Sequence, residues 1–161
     1  MAQSILITGA GSGIGRATAR AFLAAGWDVA LMGRREAALR ETAGDAEARI
    51  LVADVADPAQ VEAAFAQLAR LDVLFNNAGI VGAVGPIDTT PADEWNKSLA
   101  VLINGVFFGM KHATRVMKPA QRGSIISMAS TGTTGMHAVF EPGWTWDKDE
   151  KPLLGHPDSC P

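Results

Sequence analysis

Four glycines at alternate positions, where a short apolar run gives way to a helical pattern, constrain this chain more than any other feature. Residues 4–8 have the composition of a buried strand, and residues 13–25 carry apolar side chains at helical spacing. Glycines at such a junction let the backbone approach a bound pyrophosphate, and the amides of the helix N-terminus then face its charge. The turn at residues 9–15 therefore predicts an α/β domain that binds a dinucleotide.

The alternation of strand and helix patterns continues to residue 135. Further strands are predicted at residues 27–32, 48–53, 71–75 and 124–128, with helices at residues 36–43, 57–69 and 90–117. This order is typical of a doubly wound parallel sheet with helices on both faces. We predict a doubly wound α/β domain of about five parallel strands over residues 1–135.

Residues 136–161 depart from this pattern. They hold half of the eight prolines, two of the four tryptophans and the only cysteine, and they show neither the helical nor the strand period. We expect an irregular C-terminal tail, and we expect the fifth strand to be left as an open edge that favours aggregation.

Composition excludes several classes of function. The net charge of −3 and the absence of a basic cluster argue against nucleic acid as a partner. No signal peptide and no apolar run of membrane-spanning length is present, so we expect a cytoplasmic protein without a membrane partner. Cys160 stands alone, which excludes an internal disulfide, and no histidine, cysteine or carboxylate cluster has the spacing of metal ligands.

The motifs resemble one known family. The turn reads Thr8-Gly9-x-x-x-Gly13-x-Gly15 and lacks the usual G-x-G-x-x-G spacing, because Ile14 stands where the third glycine would be. Asp54-Val55 follows the third strand, and Asn76-Asn77-Ala78-Gly79 follows the fourth. Together they resemble the short-chain dehydrogenase/reductase family, whose members transfer hydride between a nicotinamide cofactor and an alcohol or ketone. The resemblance implies a Rossmann-like domain over residues 1–135 with the strand order 3-2-1-4-5.

The resemblance implies a set of cofactor-binding residues, with the carboxylate of Asp54 accepting a hydrogen bond from the adenine amine. The set is Gly9, Ser12, Gly13, Ile14, Gly15, Arg34, Arg35, Asp54, Val55, Asn77, Ala78 and Gly79.

The end of the second strand bears on the choice of cofactor. An acidic residue there would bind the ribose hydroxyls of NAD, but this chain has Gly33 followed by Arg34 and Arg35. A guanidinium matches the 2′-phosphate of NADP. We predict NADP, with NAD as the alternative, since Ser12 is not the basic residue that some NADP-using relatives carry and one arginine could simply face solvent.

The catalytic residues that the resemblance implies are incomplete. Ser130 matches the family serine that polarises the substrate oxygen, and Ser127 is a weaker candidate. The family then places Tyr-x-x-x-Lys about a dozen residues later, but this sequence contains no tyrosine. Trp144 and Lys148 share that spacing, yet an indole cannot exchange a proton near neutral pH.

The family asparagine is also displaced. Leu102 stands at its position, three residues before Gly105, and Asn104 lies two residues away on what should be another face of the helix. We therefore expect an impaired oxidoreductase, truncated or frame-shifted after Gly135, in a family whose members are homo-oligomers. The alternative is a non-catalytic module that binds a dinucleotide or a partner.

Overall fold

The computed structural model describes residues 2–128 and the backbone of residues 135–140. The strands are β1 (Ser4–Thr8), β2 (Asp28–Gly33), β3 (Arg49–Val52), β4 (Val73–Asn76), β5 (Gly123–Met128) and β6 (Gly135–Phe140). The helices are α1 (Gly13–Ala24), α2 (Glu36–Ala43), α3 (Pro58–Phe65), α4 (Ala92–Leu99) and α5 (Gly105–Met117). A π-helical turn over Ala100–Asn104 joins the last two helices.

The predicted sheet is confirmed. Strands β1 to β5 are parallel and lie in the order β3-β2-β1-β4-β5. Every residue of β1 is buried, and its side chains alternate between two cores. Leu6 packs into the cluster that includes Val61 of α3 and Ala113 of α5, whereas Ile5 and Ile7 pack into the other. Helices therefore cover both faces of the sheet, which is why its strands are continuously apolar.

The predicted start of α3 is also confirmed, but its predicted end is not. The carboxylate of Asp57 accepts hydrogen bonds from the amides of Ala59 and Gln60, at 2.9 and 3.1 Å, and Pro58 occupies the first turn. The helix ends at Phe65 rather than near residue 69. The amides of Gln67 and Leu68 bond three residues back instead of four, so the chain tightens into turns there.

The sixth strand corrects two expectations. Strand β6 pairs antiparallel with β5, from Met128 opposite Gly135 to Gly123 opposite Phe140. The prediction that the fifth strand is an open edge is therefore wrong, and the predicted irregular tail begins with a strand. Without β6, the outer edge of β5 would present unpaired amides and carbonyls, and β6 supplies their hydrogen-bond partners. Residues 129–134 and 141–161 lie outside the described residues.

The single helix predicted over residues 90–117 is interrupted by the π-helical turn. Beyond the turn, two glycines bring α5 against its neighbours. A Cβ on Gly105 would lie 2.9 Å from Cγ2 of Val55, and one on Gly109 would collide with the amide oxygen of Asn76. Within the described part of the chain, neither this helical segment nor any other is long and apolar enough to cross a bilayer.

A carboxylate fastens the sheet at the end opposite the glycine-rich turn. Asp72 is 12% exposed, and its Oδ2 accepts from the amide and hydroxyl of Ser4 at 2.8 and 3.0 Å. Nη2 of Arg70 lies 2.8 Å from the same oxygen. Partial burial would raise the pKa of Asp72, but the bonds from Ser4 and Arg70 outweigh it and hold this pKa below its ordinary value.

We expect Asp72→Asn to lower the free energy of unfolding by about 2 kcal/mol at neutral pH, because charge-assisted hydrogen bonds are lost. Since the pKa of the folded carboxyl is depressed, its stabilisation is present above the pKa of the unfolded chain, about 3.9, and is lost as the pH falls towards the folded value. Urea denaturation of both proteins at pH 7 and at about pH 3 tests this. An equal difference between the two proteins at both pH values would contradict it.

Candidate dinucleotide site

A cleft of about 780 Å³ lies at the carboxyl ends of the parallel strands. The turn after β1, the ends of β2 and β3, the segment after β4 and the π-helical turn form its walls. From β1 the chain continues to β2 on one side of that strand, whereas β4 lies on its other side. The strand order therefore reverses beside β1. Doubly wound sheets bind ligands at such a switch point, and the volume is in the range of about 300–1,000 Å³ usual for ligand pockets.

The structure brings together the predicted cofactor residues, which come from four separate segments of the chain. Those that line the cleft are Gly9, Ser12, Gly13, Ile14, Arg34, Arg35, Asp54, Val55, Asn77, Ala78 and Gly79. Gly15 is the exception, because it is buried behind the turn.

The glycine-rich turn has a shape that side chains would prevent. Gly9 and Gly13 have φ angles of 68° and 52°, in the region that favours glycine. A Cβ on Gly9 would lie 2.8 Å from Cα of Ala78, so this glycine lets two wall segments meet. A Cβ on Gly13 would meet nothing within 4 Å, and this position on the cleft stays open at the start of α1. The turn therefore leaves room for a phosphate beside the helix N-terminus.

Gly15 acts through packing. A Cβ there would overlap the carbonyl oxygen of Gly9 and would lie 2.6 Å from Nδ2 of Asn77. The absence of a side chain lets α1 approach the end of β1 and the segment after β4 together.

Thr8 connects the glycine-rich turn to the segment after β4. Its buried hydroxyl oxygen accepts hydrogen bonds from the amides of Asn77 and Ala78, both at 3.0 Å. The same hydroxyl donates to the carbonyl oxygen of Phe75, 3.4 Å from Oγ1. Nδ2 of Asn77 donates to the carbonyl of Thr8 at 3.0 Å. The threonine that opens the glycine motif thus holds the segment after β4 in register with the turn.

Charged groups meet at the ends of β2 and β3. Nη1 of Arg34 lies 3.9 Å from Oδ2 of Asp54, and the side chain of Arg34 is 68% exposed. Oδ1 of the same carboxylate accepts from the amide of Ala56 at 3.0 Å, which fixes its orientation. Arg35 immediately precedes α2 and also lines the cleft. This end of the cleft combines an oriented acceptor with two guanidinium groups.

The other end of the cleft is apolar. Leu102 lines it together with Val101, Val106 and Met128, whereas Asn104 is exposed and is not among the lining residues. Asn104 therefore lies outside the cleft. The family resemblance had drawn attention to Leu102, but nothing in the local sequence pattern indicated that Val106 would line the cleft.

The candidate catalytic side chains are only partly described. The hydroxyl of Ser127 accepts from Nδ2 of Asn76 at 3.3 Å, a bond that links β4 to β5. Ser130, Trp144 and Lys148 lie outside the described residues. His112 is buried against Phe65 and is not on the cleft; burial, reinforced by the nearby Arg115, lowers its pKa. Within residues 2–128, histidine, cysteine and carboxylate side chains do not gather into a metal site.

The parallel sheet, its switch-point cleft and the glycine-rich turn define an α/β protein of the dinucleotide-binding type. The profile of the short chain dehydrogenase family matches residues 3–141, and the chain belongs to this family of oxidoreductases.

Relatives and solved structures agree with this assignment. Levodione reductase of Leifsonia aquatica is 40% identical over 139 residues, which are 80% of this chain and 52% of that protein. A 3-ketoacyl-ACP reductase of Sinorhizobium meliloti 1021 has a TM-score of 0.74 at 37% identity, with 79% of this chain and 53% of that chain covered. An actinorhodin polyketide ketoreductase with NADPH has a TM-score of 0.76 at 30% identity, with 83% and 56% covered. The chain thus spans about half the length of each of these three proteins.

Proposed function

We propose that this chain binds NADP in the cleft, in preference to NAD, as the cofactor-binding part of an oxidoreductase that acts on an alcohol or a ketone. The observation that carries the proposal is the end of β2, where Arg34 and Arg35 line the cleft and Gly33 stands in place of an acidic residue. A guanidinium forms strong bidentate bonds to a phosphate, and a carboxylate at this position would repel one.

The remaining lining residues fit the other parts of the same molecule. In this proposal, the glycine-rich turn and the N-terminus of α1 hold the pyrophosphate, and Asp54 with Val55 holds the adenine. Asn77 to Gly79 border the ribose next to the nicotinamide. The dinucleotide, when bound, would donate a hydride to the carbonyl carbon of a ketone or accept one from the carbinol carbon of an alcohol. The crystal structure of the actinorhodin polyketide ketoreductase, whose fold is similar to that of this chain, contains NADPH.

We further propose that the chain on its own is catalytically impaired. Ser130 would polarise the substrate oxygen, but the sequence holds no tyrosine to exchange the proton, and the apolar Leu102 stands where the family carries its asparagine. General acid-base catalysis contributes about 10²–10⁴ in rate. A non-catalytic dinucleotide-binding module is the second candidate, and the apolar end of the cleft favours it.

The location and assembly of the protein belong to the same proposal. We place it in the cytoplasm, and we propose a homo-oligomer because Trp95, Ile103 and Phe107 expose apolar surface along the segment from α4 to α5. Its partners would be copies of itself and a small alcohol or ketone.

Titration with NADPH and NADH, followed by intrinsic fluorescence, tests the cofactor. We expect tighter binding of NADPH, and we expect Arg34→Ala to raise the Kd of NADPH about tenfold with little change for NADH, because an exposed charge-assisted contact to the 2′-phosphate is lost. Lys97→Ala is the matched control, since Lys97 pairs with Asp93 away from the cleft and the same charge is removed. Equal affinities of the unmodified chain for both dinucleotides would contradict the preference for NADP.

Turnover separates the two candidate functions. Oxidation of NADPH in the presence of a panel of small ketones should be slower than in full-length relatives by about 10²–10⁴. Binding without any turnover would favour the non-catalytic module, and turnover within tenfold of those relatives would contradict the proposed impairment.

A further inference from the structure

The glycines of the turn do not by themselves determine the direction in which its amides and carbonyls face. A phosphate site needs backbone amides directed at the ligand, and carbonyl oxygens that face the same way would repel it. A turn without side chains can rotate its peptide planes easily. Some other part of the protein must therefore hold the carbonyls of Ala10 and Gly11.

Two side chains outside the cleft bind these carbonyls. The hydroxyl of Thr42, which is fully buried on α2, lies 2.9 Å from the carbonyl oxygen of Ala10 and 2.9 Å from that of Ala38, so its single proton serves two acceptors. Nη2 of Arg16, in the first turn of α1, donates to the carbonyl oxygen of Gly11 at 2.7 Å. Neither donor is among the residues that line the cleft. The two carbonyls are thus bound by groups behind the turn rather than on its ligand side.

Arg16 is itself held in place from a second helix. Its Nη1 and Nη2 donate to the two carboxylate oxygens of Glu41 on α2, at 2.6 and 3.0 Å. The side chain of Arg16 is only 26% exposed, whereas that of Glu41 is 62% exposed. A planar guanidinium can bind a carboxylate with two nitrogens and still reach a carbonyl, which an ammonium group cannot do with the same geometry.

We propose that Arg16, oriented by Glu41, is a positioning residue that holds the glycine-rich turn in the shape required by the pyrophosphate of the cofactor. This inference rests on the proposed function and deepens it, since it names a residue that acts on the cofactor from outside the site. Arg16 contributes through Gly11 and makes no contact with the ligand.

The test compares two ligands on one set of variants. NADPH carries the pyrophosphate, whereas adenosine 2′-monophosphate carries only the adenosine end and its 2′-phosphate. Arg16→Ala should raise the Kd of NADPH about tenfold and leave that of adenosine 2′-monophosphate within twofold. Arg16→Lys should recover part of the affinity for NADPH, because it retains one of the two contacts.

Glu41→Gln separates positioning from simple charge attraction. If Arg16 acted only as a positive charge near a phosphate, removal of the adjacent negative charge would tighten the binding of NADPH. If Arg16 positions the turn, loss of the bidentate pair should weaken that binding, by about threefold. Arg40→Ala is the control, because Arg40 on α2 pairs with Glu36 and does not contact the turn.

Hydrogen exchange of the unliganded variants gives a readout that does not depend on the cofactor. Amides of residues 9–15 should exchange faster in Arg16→Ala than in Arg40→Ala, with α3 unchanged in both. The inference is overturned if Arg16→Ala binds NADPH as the unmodified chain does, if both ligands weaken equally, or if exchange in the turn is unaltered. If the unmodified chain binds neither ligand, the proposed function fails, and the inference fails with it.

Discussion

Gly15→Ala is expected to raise the Kd of NADPH about a hundredfold and to lower the free energy of unfolding by about 3 kcal/mol. The added methyl group would overlap the carbonyl oxygen of Gly9 and press on the side-chain amide of Asn77. Both of these belong to walls of the cleft, so relief of the overlap must move α1 away from the turn or separate the turn from the segment after β4. Fluorescence titration and urea denaturation measure the two effects.

Gly26→Ala is the control for this substitution. Gly26 follows the other end of α1 and has a φ of 77°, but a Cβ there would meet nothing within 4 Å. We expect a loss of about 1 kcal/mol from backbone strain, with no change in the affinity for NADPH. If Gly15→Ala bound NADPH as tightly as Gly26→Ala does, the close approach at Gly15 would not be required for the site.

Thr8→Val is expected to lower the free energy of unfolding by about 2–4 kcal/mol. Valine has nearly the shape of threonine, so the main change is the loss of the oxygen that accepts from the amides of Asn77 and Ala78. Thr8 is only 3% exposed, so water cannot easily take the place of that oxygen. Urea denaturation gives the change in stability, and hydrogen exchange at the two amides should accelerate.

Thr8→Ser is the control, because serine retains the hydroxyl and loses only a methyl group. We expect it to lose about 1 kcal/mol or less, with exchange at residues 77 and 78 close to that of the unmodified protein. Equal stability of Thr8→Val and Thr8→Ser would show that the hydroxyl does not hold the two motifs together.

Much of the fold could be predicted because its signals are local. The strand at residues 4–8 and the helix at residues 36–43 have the predicted bounds, and the alternation of strand and helix patterns correctly predicted a parallel sheet. The order of its first five strands was implied by the family resemblance. The strand β6 could not be predicted, because residues 135–140 have no periodic pattern. That segment is extended because the edge of β5 is available to it, and this depends on a partner rather than on its own sequence.

The candidate site was predictable to the same degree. The glycines and the two arginines were found from residue type and position after a strand, and Asp54 was implied by the family resemblance. The structure gathers all of them at one cleft except Gly15, which lies behind it. The π-helical turn at Ala100–Asn104 was not predicted, since its residues suit an ordinary helix. That turn places Leu102 on the wall of the cleft, at its apolar end.

The sequence by itself determined the alternating α/β architecture, the place of the glycine-rich turn and the family to which the chain belongs, because periodicity and residue type express these features locally. Only the tertiary structure decided which groups support that turn. Thr8 meets Asn77 across 69 positions and Arg16 meets Glu41 across 25, and neither pair has a pattern that links its members. Such contacts arise when separate strands and helices pack against one another, so the spacing of residues within one segment cannot reveal them.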